Sequence, residues 1–312
     1  MKITRDIYKK CELCPRRCLA DRTGCEAPGS GPGYCRMGEK AVLARAMLHP
    51  WEEPGITKNG APSGAVFFTG CTMQCVYCQN RMISGTSSGT APAGLVRTPE
   101  QMAEIFLRLQ RDGACNIDLV TPTHFVPDII EALEIAGDRL RIPVVYNTGG
   151  YERPEVIRAV GPYVSYWLPD IKYYDDAPAV KYSAAPRYFE TATGALSEMI
   201  RAAGGKKDHV IARHMVLPGQ KEDSIRILHT LAERFGTDSF LLSLMSQYTP
   251  PREFSCSRES GPGRYPELSR RVTTYEYEKV VEEALKLGFD GYRQDRTTAK
   301  EEYTPDFDLS GL

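Results

Sequence analysis

Cys71, Cys75 and Cys78 form a C-x3-C-x2-C run within Phe-Phe-Thr-Gly-Cys71-Thr-Met-Gln-Cys75-Val-Tyr-Cys78-Gln-Asn80. Thiolates so closely spaced are soft ligands suited to iron or zinc. A cubane [4Fe–4S] cluster normally takes four thiolates, so a loop offering three leaves one iron open to an outside ligand. A catalytic metal site follows the same logic and keeps one position free for chemistry. The competing readings are a structural zinc knuckle and three unrelated buried thiols. The context favours the open cluster: an apolar run, a glycine, the cysteine loop with Tyr77 before its last cysteine, then Gln79-Asn80.

A second group of cysteines precedes the first. It reads Cys11-Glu-Leu-Cys14-Pro-Arg-Arg-Cys18, then Cys25, then Gly33-Tyr34-Cys35-Arg36. The stretch 27–33 is rich in glycine and proline, and packing alone does not hold such a segment, so a metal staple is expected. Cys11, Cys14, Cys18 and Cys35 make the quartet, with Cys25 spare. Four thiolates suit tetrahedral zinc or an auxiliary iron–sulfur cluster, and both remain open here. Cys115 and Cys256 stand alone and read as buried or free thiols.

The chain has 312 residues, 25% charged and 42% hydrophobic, with a formal net charge of −1. That suits a globular α/β domain plus a small module. It gives no broad attraction to nucleic acid or anionic lipid, so neither is expected as a partner. Lys206-Lys207 and Arg270-Arg271 read as solvated surface pairs. No run of about 18 apolar residues marks a membrane span. The start, Met-Lys-Ile-Thr-Arg-Asp, lacks the apolar core of a secretory signal. Ten cysteines in such a chain point to metal or redox work rather than disulfides. A cytoplasmic, oxygen-poor setting is the expectation.

The elements that must position these residues follow from periodicity. Strands are expected at 65–69, 116–121, 143–147, 164–171, 210–217 and 240–246, several of them near-continuous apolar runs suited to parallel strands buried on both faces. Helices are expected between them. One opens at Thr98-Pro-Glu-Gln101 with capping-box chemistry and ends at Gly113. Others fall at 127–135, 154–160, 188–203, 223–235 and 274–287. Alternating strands and helices imply a parallel sheet, either doubly wound or closing toward a barrel. In both, ligands gather at the carboxyl ends of the strands, where the Cys71 loop falls. Residues 250–271 read as a long loop, a lid or a disordered segment.

The Cys71–Cys78 motif resembles the signature of the radical S-adenosylmethionine (radical SAM) superfamily. The wider match is to proteins related to pyruvate formate-lyase activating enzyme, specifically homologues with an N-terminal cysteine module. It is carried by Cys11-x-x-Cys-Pro-Arg-Arg-Cys18, Gly33-Tyr-Cys-Arg36, His49-Pro-Trp-Glu-Glu-Pro54, Val120-Thr-Pro-Thr-His124, Val144-Val-Tyr-Asn-Thr-Gly-Gly-Tyr151, Leu168-Pro-Asp-Ile-Lys172, Arg213-His214 and Met245-Ser-Gln-Tyr-Thr-Pro250. The resemblance implies a partial (β/α)6 TIM-type barrel. It divides the chain into a cysteine-rich metal-binding module over 1–48, a linker over 49–63, the barrel over 64–295 and a tail over 296–312. It implies a [4Fe–4S] cluster on Cys71, Cys75 and Cys78 whose open iron chelates S-adenosylmethionine. It further implies reductive cleavage to a 5′-deoxyadenosyl radical, a reducing flavodoxin or ferredoxin as partner, and hydrogen abstraction from a glycyl-radical protein or another substrate.

The same resemblance distributes roles. Tyr77 falls where the family contacts adenine, and Asn80 bonds the loop or a substrate. Where the activating enzymes carry Gly-Gly-Glu for the cofactor's amino group, this chain has Thr121-Pro-Thr123-His124, and the threonine hydroxyls are candidate acceptors. His124 is a candidate general acid or base. Asn147-Thr-Gly resembles the family's Thr-Asn-Gly turn with its order altered. Asp170 is expected to accept from ribose hydroxyls and Lys172 to pair with the cofactor carboxylate. Arg213 and His214 are candidates for the same carboxylate. Gln247 and Tyr248 are placed on the substrate side. Glu52 and Glu53, beside Trp51, read mainly as a brace between module and barrel.

Overall fold

A computed structural model describes residues 3–25, 29–57, 60–85, 93–251, 254, 265–294 and 305–312. Strand β1 (Ala41–His49) runs antiparallel to β2 (Ser63–Phe68). A short helix α1 (Arg81–Ser84) leads toward β3 (Leu95–Arg97), which pairs antiparallel with the outer side of β1. The chain then alternates helix and strand: α2 (Pro99–Arg111), β4 (Ile117–Val120), α3 (Val126–Ala136), β5 (Val144–Thr148), α4 (Pro154–Val160) and β6 (Tyr166–Pro169). Helices α5 (Asp176–Ser183) and α6 (Tyr188–Ala202) precede β7 (Ile211–Met215). Last come α7 (Lys221–Phe235), β8 (Leu241–Met245), α8 (Thr274–Leu287) and β9 (Gly291–Arg293).

β2, β4, β5 and β6 are parallel neighbours in that order, as are β7, β8 and β9. Parallel bridges Trp167–Val210 and Asp170–Arg213 join the two groups. The result is a mixed α/β fold with a long parallel arc, the arrangement of a partial barrel. The parallel strands are short and, apart from β9 at the end of the arc, mostly buried, as β2 shows along its whole length. Helices cover their outer faces and exclude water from both sides.

The expected strands and helices all occur, with ends shifted by a few residues. The α2 cap is the one anticipated: Thr98 Oγ1 accepts from the Gln101 amide, and Gln101 reaches back to the Thr98 amide. Its apolar stripe Met102, Ile105, Phe106 and Leu109 is buried. Removing each such side chain from water stabilises the fold by about 1.5–3 kcal/mol. β1, β3, β9 and α5 were not anticipated. β1 carries residues 41–49 into the sheet, between β2 and β3. It lies against β2, and its antiparallel partner β3 covers its other edge.

The N-terminal segment packs on the α3 side of the arc. Tyr8 donates to buried Asp128, and Arg5 lies 3.1 Å from the same carboxylate. At the other end, Phe307 meets Phe67 edge-on at 5.5 Å, and Ser310 accepts from the Ala46 amide. Among the described residues no helix is long and apolar enough to cross a membrane. The stretch 250–271 lies mostly outside the described residues, as do Cys256 and positions 295–304 of the tail.

Candidate functional site

The cysteine loop leaves the carboxyl end of β2 through Gly70, whose φ is +88°. A Cβ there would lie 2.7 Å from Met37 Cγ and 2.9 Å from the Cys35 carbonyl, so only glycine fits the turn. The loop is tied from several sides. The Val76 amide donates to the Tyr182 carbonyl at 2.8 Å, and Gln74 Nε2 donates to the Tyr34 carbonyl at 2.8 Å. Cys71, Cys75 and Cys78 all open onto one cavity of about 760 Å³. That is within the usual range for a small-molecule site.

The thiols sit where ionisation is costly without a metal. Burial pushes Cys78 up to about 12, and Cys75 and Cys71 add to the rise. Burial also raises Cys75, against the pull of Lys172. Ser183 Oγ donates to Cys75 Sγ at 2.9 Å, and the Met73 amide donates to Cys71 Sγ at 3.3 Å, so polar hydrogens already point at sulfur. Among the described residues no three His, Cys, Asp or Glu side chains converge on a single ion. An all-sulfur loop opening onto a cavity, with donors to its sulfurs, fits three of the four irons of a cubane and leaves the fourth without a protein thiolate.

Facing the cysteines is a buried polar chain. Lys172 Nζ lies 2.6 Å from Asp170 Oδ2, and Arg213 Nε lies 2.9 Å from Asp170 Oδ1. Arg213 Nη2 donates to Asn147 Oδ1 at 2.6 Å, and Asn147 Nδ2 donates to Asp118 at 3.2 Å. Burial raises the Asp170 carboxyl, but Arg213 and Lys172 together outweigh it and hold the group below its ordinary value. Burial opposes the charge on Lys172, and Asp170 overcomes it, leaving the ammonium firmly protonated. The geometry fixes opposite charges on the wall of the cavity that the three cysteines share.

The structure brings together Tyr77, Asn80, Thr121, Thr123, Asn147, Asp170, Lys172, Arg213 and Gln247, all at the cavity wall with the three cysteines. Tyr77 is buried, with its hydroxyl 2.5 Å from that of Tyr173. Gln247 is approached by Gln294 Nε2 at 3.3 Å. Three expected residues are not part of the wall. His124 is buried behind it, with Nε2 2.7 Å from the Thr69 carbonyl. Burial, then Arg22, hold its ring down to about 3, so it is neutral and unable to cycle a proton near neutrality. His214 has both nitrogens engaged, at 2.6 Å to the Ile171 carbonyl and 2.9 Å to Ser224, and braces β7 against α7. Tyr248 donates to the Leu268 carbonyl at 2.7 Å and packs its ring against Tyr77. Strand alternation explains His214, which lies on β7 between the wall residues Arg213 and Met215; His124 sits in the short helical turn Thr123–Phe125 and Tyr248 in the coil after β8, each turned aside to the carbonyl its side chain bonds.

Glu152 and Asp118 escaped the sequence reading, whereas Glu53 was read there mainly as a brace. Glu152 accepts from both Thr123 and Thr148, and its Oε2 has no hydrogen-bond partner. Burial pushes its carboxyl up to about 7, against the pull of the two hydroxyls. Thr123 is thus committed to Glu152. Glu53 accepts from Ser243 at 2.9 Å and reaches the cavity, so it joins the 49–57 segment to β8. Asp118 is buried in mid-strand, where burial and then Glu52 raise its carboxyl well above normal. A carboxylate inside an apolar strand was the available signal for Asp118. Nothing local marks Glu152.

Cys11, Cys14, Cys18 and Cys35 form a separate group. The Cys11 amide bonds the Ala20 carbonyl and the Leu19 amide bonds Cys11, folding the run back on itself. Burial pushes Cys14 up to about 12, and Cys35 and Cys11 add to the rise. Cys25 turns aside and sits 3.3 Å from Ser30. The nine described cysteines are all free thiols. Cys115 bonds the Ile56 and Ala61 carbonyls and has no metal-ligand neighbours among the described residues.

The profile of the radical SAM superfamily matches residues 65–232, from β2 through most of α7. This chain belongs to the radical SAM superfamily. It is an enzyme of that superfamily, whose members use a [4Fe–4S] cluster and S-adenosylmethionine. It is 28% identical over 294 residues to the uncharacterized protein MJ0674 of Methanocaldococcus jannaschii, covering 93% of this chain and 78% of that one. Solved structures that the chain matches in part include Streptococcus suis SuiB bound to S-adenosylmethionine, at 13% identity and a TM-score of 0.47 over 74% of this chain. This chain spans about half (50%) of the length of SuiB. Another is anSMEcpe with bound AdoMet, at 10% identity and a TM-score of 0.49, covering 72% of this chain and 61% of that one.

Proposed function

We propose that this radical SAM enzyme binds its cluster through Cys71, Cys75 and Cys78 and abstracts a hydrogen atom from a protein glycine or another substrate in the adjoining cavity. The observation that carries the reading is the three-cysteine loop opening onto the same cavity as the Asp170–Lys172–Arg213 chain. When bound, the cluster supplies the electron that cleaves the sulfonium of S-adenosylmethionine to methionine and a 5′-deoxyadenosyl radical. Lys172 and Arg213 are suited to the ligand's carboxylate and Asp170 to its hydroxyls or ammonium. Asn147 and the Thr121 backbone line the same wall. Tyr77 offers a ring beside the last cysteine, and Asn80 and Gln247 lie toward the substrate side.

The resemblance of the sequence motifs to those of pyruvate formate-lyase activating enzyme supports a glycyl-radical activase. A second reading is a small molecule or peptide as substrate, favoured by the wall of Glu53, Ser243 and Met245, which extends the cavity beyond the ligand-holding set. The N-terminal cysteines are proposed as a second metal centre, of zinc or iron–sulfur, preceding the barrel. A flavodoxin or ferredoxin is the proposed reductant, and the cytoplasm, where thiols stay reduced, the proposed setting.

The test is anaerobic incubation with S-adenosylmethionine and dithionite, with chromatography for 5′-deoxyadenosine. Its formation is expected, and its absence from protein carrying a full complement of iron would refute the reading. A glycyl doublet in electron paramagnetic resonance, seen only with a partner protein, selects the activase. Deuterium transfer from a small substrate selects the alternative.

A further inference from the structure

We propose that Ser183, Tyr173 and Tyr77 form a chain of hydroxyl groups, all donating toward the Cys75 sulfur, that raises the reduction potential of the radical-site cluster. This rests on the radical SAM reading of the Cys71 loop and adds to it the side chains that set how readily that centre takes up an electron.

The chain of hydroxyls is continuous. Ser183 Oγ donates to Cys75 Sγ at 2.9 Å. The Tyr173 hydroxyl lies 2.6 Å from Ser183 Oγ, and the Tyr77 hydroxyl lies 2.5 Å from that of Tyr173. Each hydroxyl has one hydrogen to give. Ser183 gives its hydrogen to sulfur, so its contact with Tyr173 needs the hydrogen of Tyr173. The contact between the two tyrosines then needs the hydrogen of Tyr77. All three hydrogens point the same way. The opposite direction would start from an S–H on Cys75, which a metal-bound thiolate lacks.

Tyr77, Tyr173 and Ser183 are all buried. Phenylalanine and alanine would fill the same space without the cost of burying three hydroxyls. Away from water, each hydrogen bond polarises the next, so the far hydroxyls strengthen the one that reaches sulfur. Reduction places more negative charge on the ligand sulfurs, and a donor fixed on one of them favours the reduced form. Hydrogen bonds to sulfur are among the protein's levers on the potential of such a cluster. The hydrogens stay on their oxygens throughout, and the electron comes from the external reductant.

The surrounding elements hold the donors in line. Ser183 is the last residue of α5, whose end clasps the cysteine loop. The Val76 amide, next to Cys75, donates to the Tyr182 carbonyl at 2.8 Å. Just beyond Ser183, Arg16 Nη2 donates to the Ala184 carbonyl at 2.8 Å. Lys181 and the Tyr182 hydroxyl both reach Glu267 and pin the same end of the helix. The Tyr173 ring packs edge-on against Tyr188 at 5.4 Å, and the Tyr77 ring against Tyr248 at 5.9 Å. Rings locked in this way keep their hydroxyls aimed along the chain.

The test is a redox titration of the full chain, reconstituted anaerobically and followed by electron paramagnetic resonance in the signal that S-adenosylmethionine perturbs. At a poise near the native midpoint, Ser183→Ala is expected to lower the ratio of reduced to oxidised cluster roughly tenfold, a midpoint about 59 mV more negative for one electron. Tyr173→Phe keeps Ser183 and removes the donor behind it. It is expected to lower the ratio about twofold, from a polarisation of up to about 30% per bond. Tyr182→Phe is the control. Its ring lies 6.5 Å from that of Tyr173, but its hydroxyl bonds Glu267, so the native ratio is expected. A native ratio in either Ser183→Ala or Tyr173→Phe would overturn the proposal. A shift in Tyr182→Phe as large as that in Ser183→Ala would overturn it in favour of a packing effect. Should Ser183→Ala fail to load iron, Tyr173→Phe decides. A native chain that holds no iron on the Cys71 loop, or that cleaves no S-adenosylmethionine when reduced, would count instead against the radical SAM reading itself.

Discussion

Replacing Arg213 with methionine tests the buried polar chain most directly. Methionine approximates the length of the arginine stem and removes the charge and the donors. The loss has two parts. Asp170 loses a charged partner at 2.9 Å, and Asn147 Oδ1 loses a donor at 2.6 Å. Removing one partner of a buried ion pair costs about 3–5 kcal/mol, because the other is left buried and uncompensated. The cost grows with pH. In the native chain Arg213 helps hold Asp170 below its ordinary value, so that group stabilises the fold above its unfolded pKa and loses this contribution as pH falls. Burial raises Glu53 and Asp118, and Arg213 opposes the rise in both. Without Arg213 the carboxyl groups of all three move upward, and a raised carboxyl destabilises progressively as pH rises. The expected Arg213→Met deficit is therefore about 3–5 kcal/mol at pH ~8 and clearly smaller at pH ~5.5. Urea unfolding followed by circular dichroism at both pH values measures it. A midpoint shift of about 1–2 M at the higher pH follows from ordinary m-values. A deficit under about 1 kcal/mol there, or an equal deficit at both pH values, would refute the account of Arg213 as the charge that holds these carboxylates together.

Three further outcomes are expected. Cys75→Ala removes a thiolate that Ser183 addresses at 2.9 Å, so the radical-site iron and 5′-deoxyadenosine formation should both vanish while circular dichroism stays native; retained cleavage would contradict the ligand assignment. His124 is held down to about 3 by burial, so in the native chain it opposes folding increasingly as pH falls below its unfolded value of about 6.5, by up to about 1.4 kcal/mol per pH unit. His124→Gln should flatten that acid limb of stability and leave the shape of the pH–rate profile unchanged, and a lost limb in the rate profile would restore His124 as a proton-transfer group. Glu152, pushed up to about 7, binds a proton in the folded state between its unfolded value and about 7, so its contribution falls as pH rises through that window. Glu152→Gln should accordingly gain stability relative to the native chain at pH ~8 compared with pH ~5, by up to about 3 kcal/mol in thermal or urea unfolding; a difference that does not change with pH would show the carboxyl to be unperturbed.

Local patterns in the sequence determined a great deal here. The thiol spacing, the apolar runs of the parallel strands and the Thr98–Gln101 cap are all short-range features. Each is set by neighbours within a turn or a strand, so each can be read along the chain. The carboxyl end of β2 as the place for the Cys71 loop followed from the same order of elements. What only the tertiary structure decided is which residues of those segments face one another. Strand alternation turned His214 away from the cavity, and the turn after β4 and the coil after β8 did the same for His124 and Tyr248. Glu53 meets Ser243 across 190 residues of sequence, and Arg22 reaches the His124 carbonyl across 102. Strands β1 and β3 find partners through antiparallel pairing that no local period announces. Such pairings depend on the balance of burial against desolvation in the assembled core. Buried charge is tolerated only where the fold supplies its counterpart, and that counterpart can come from any distance along the chain.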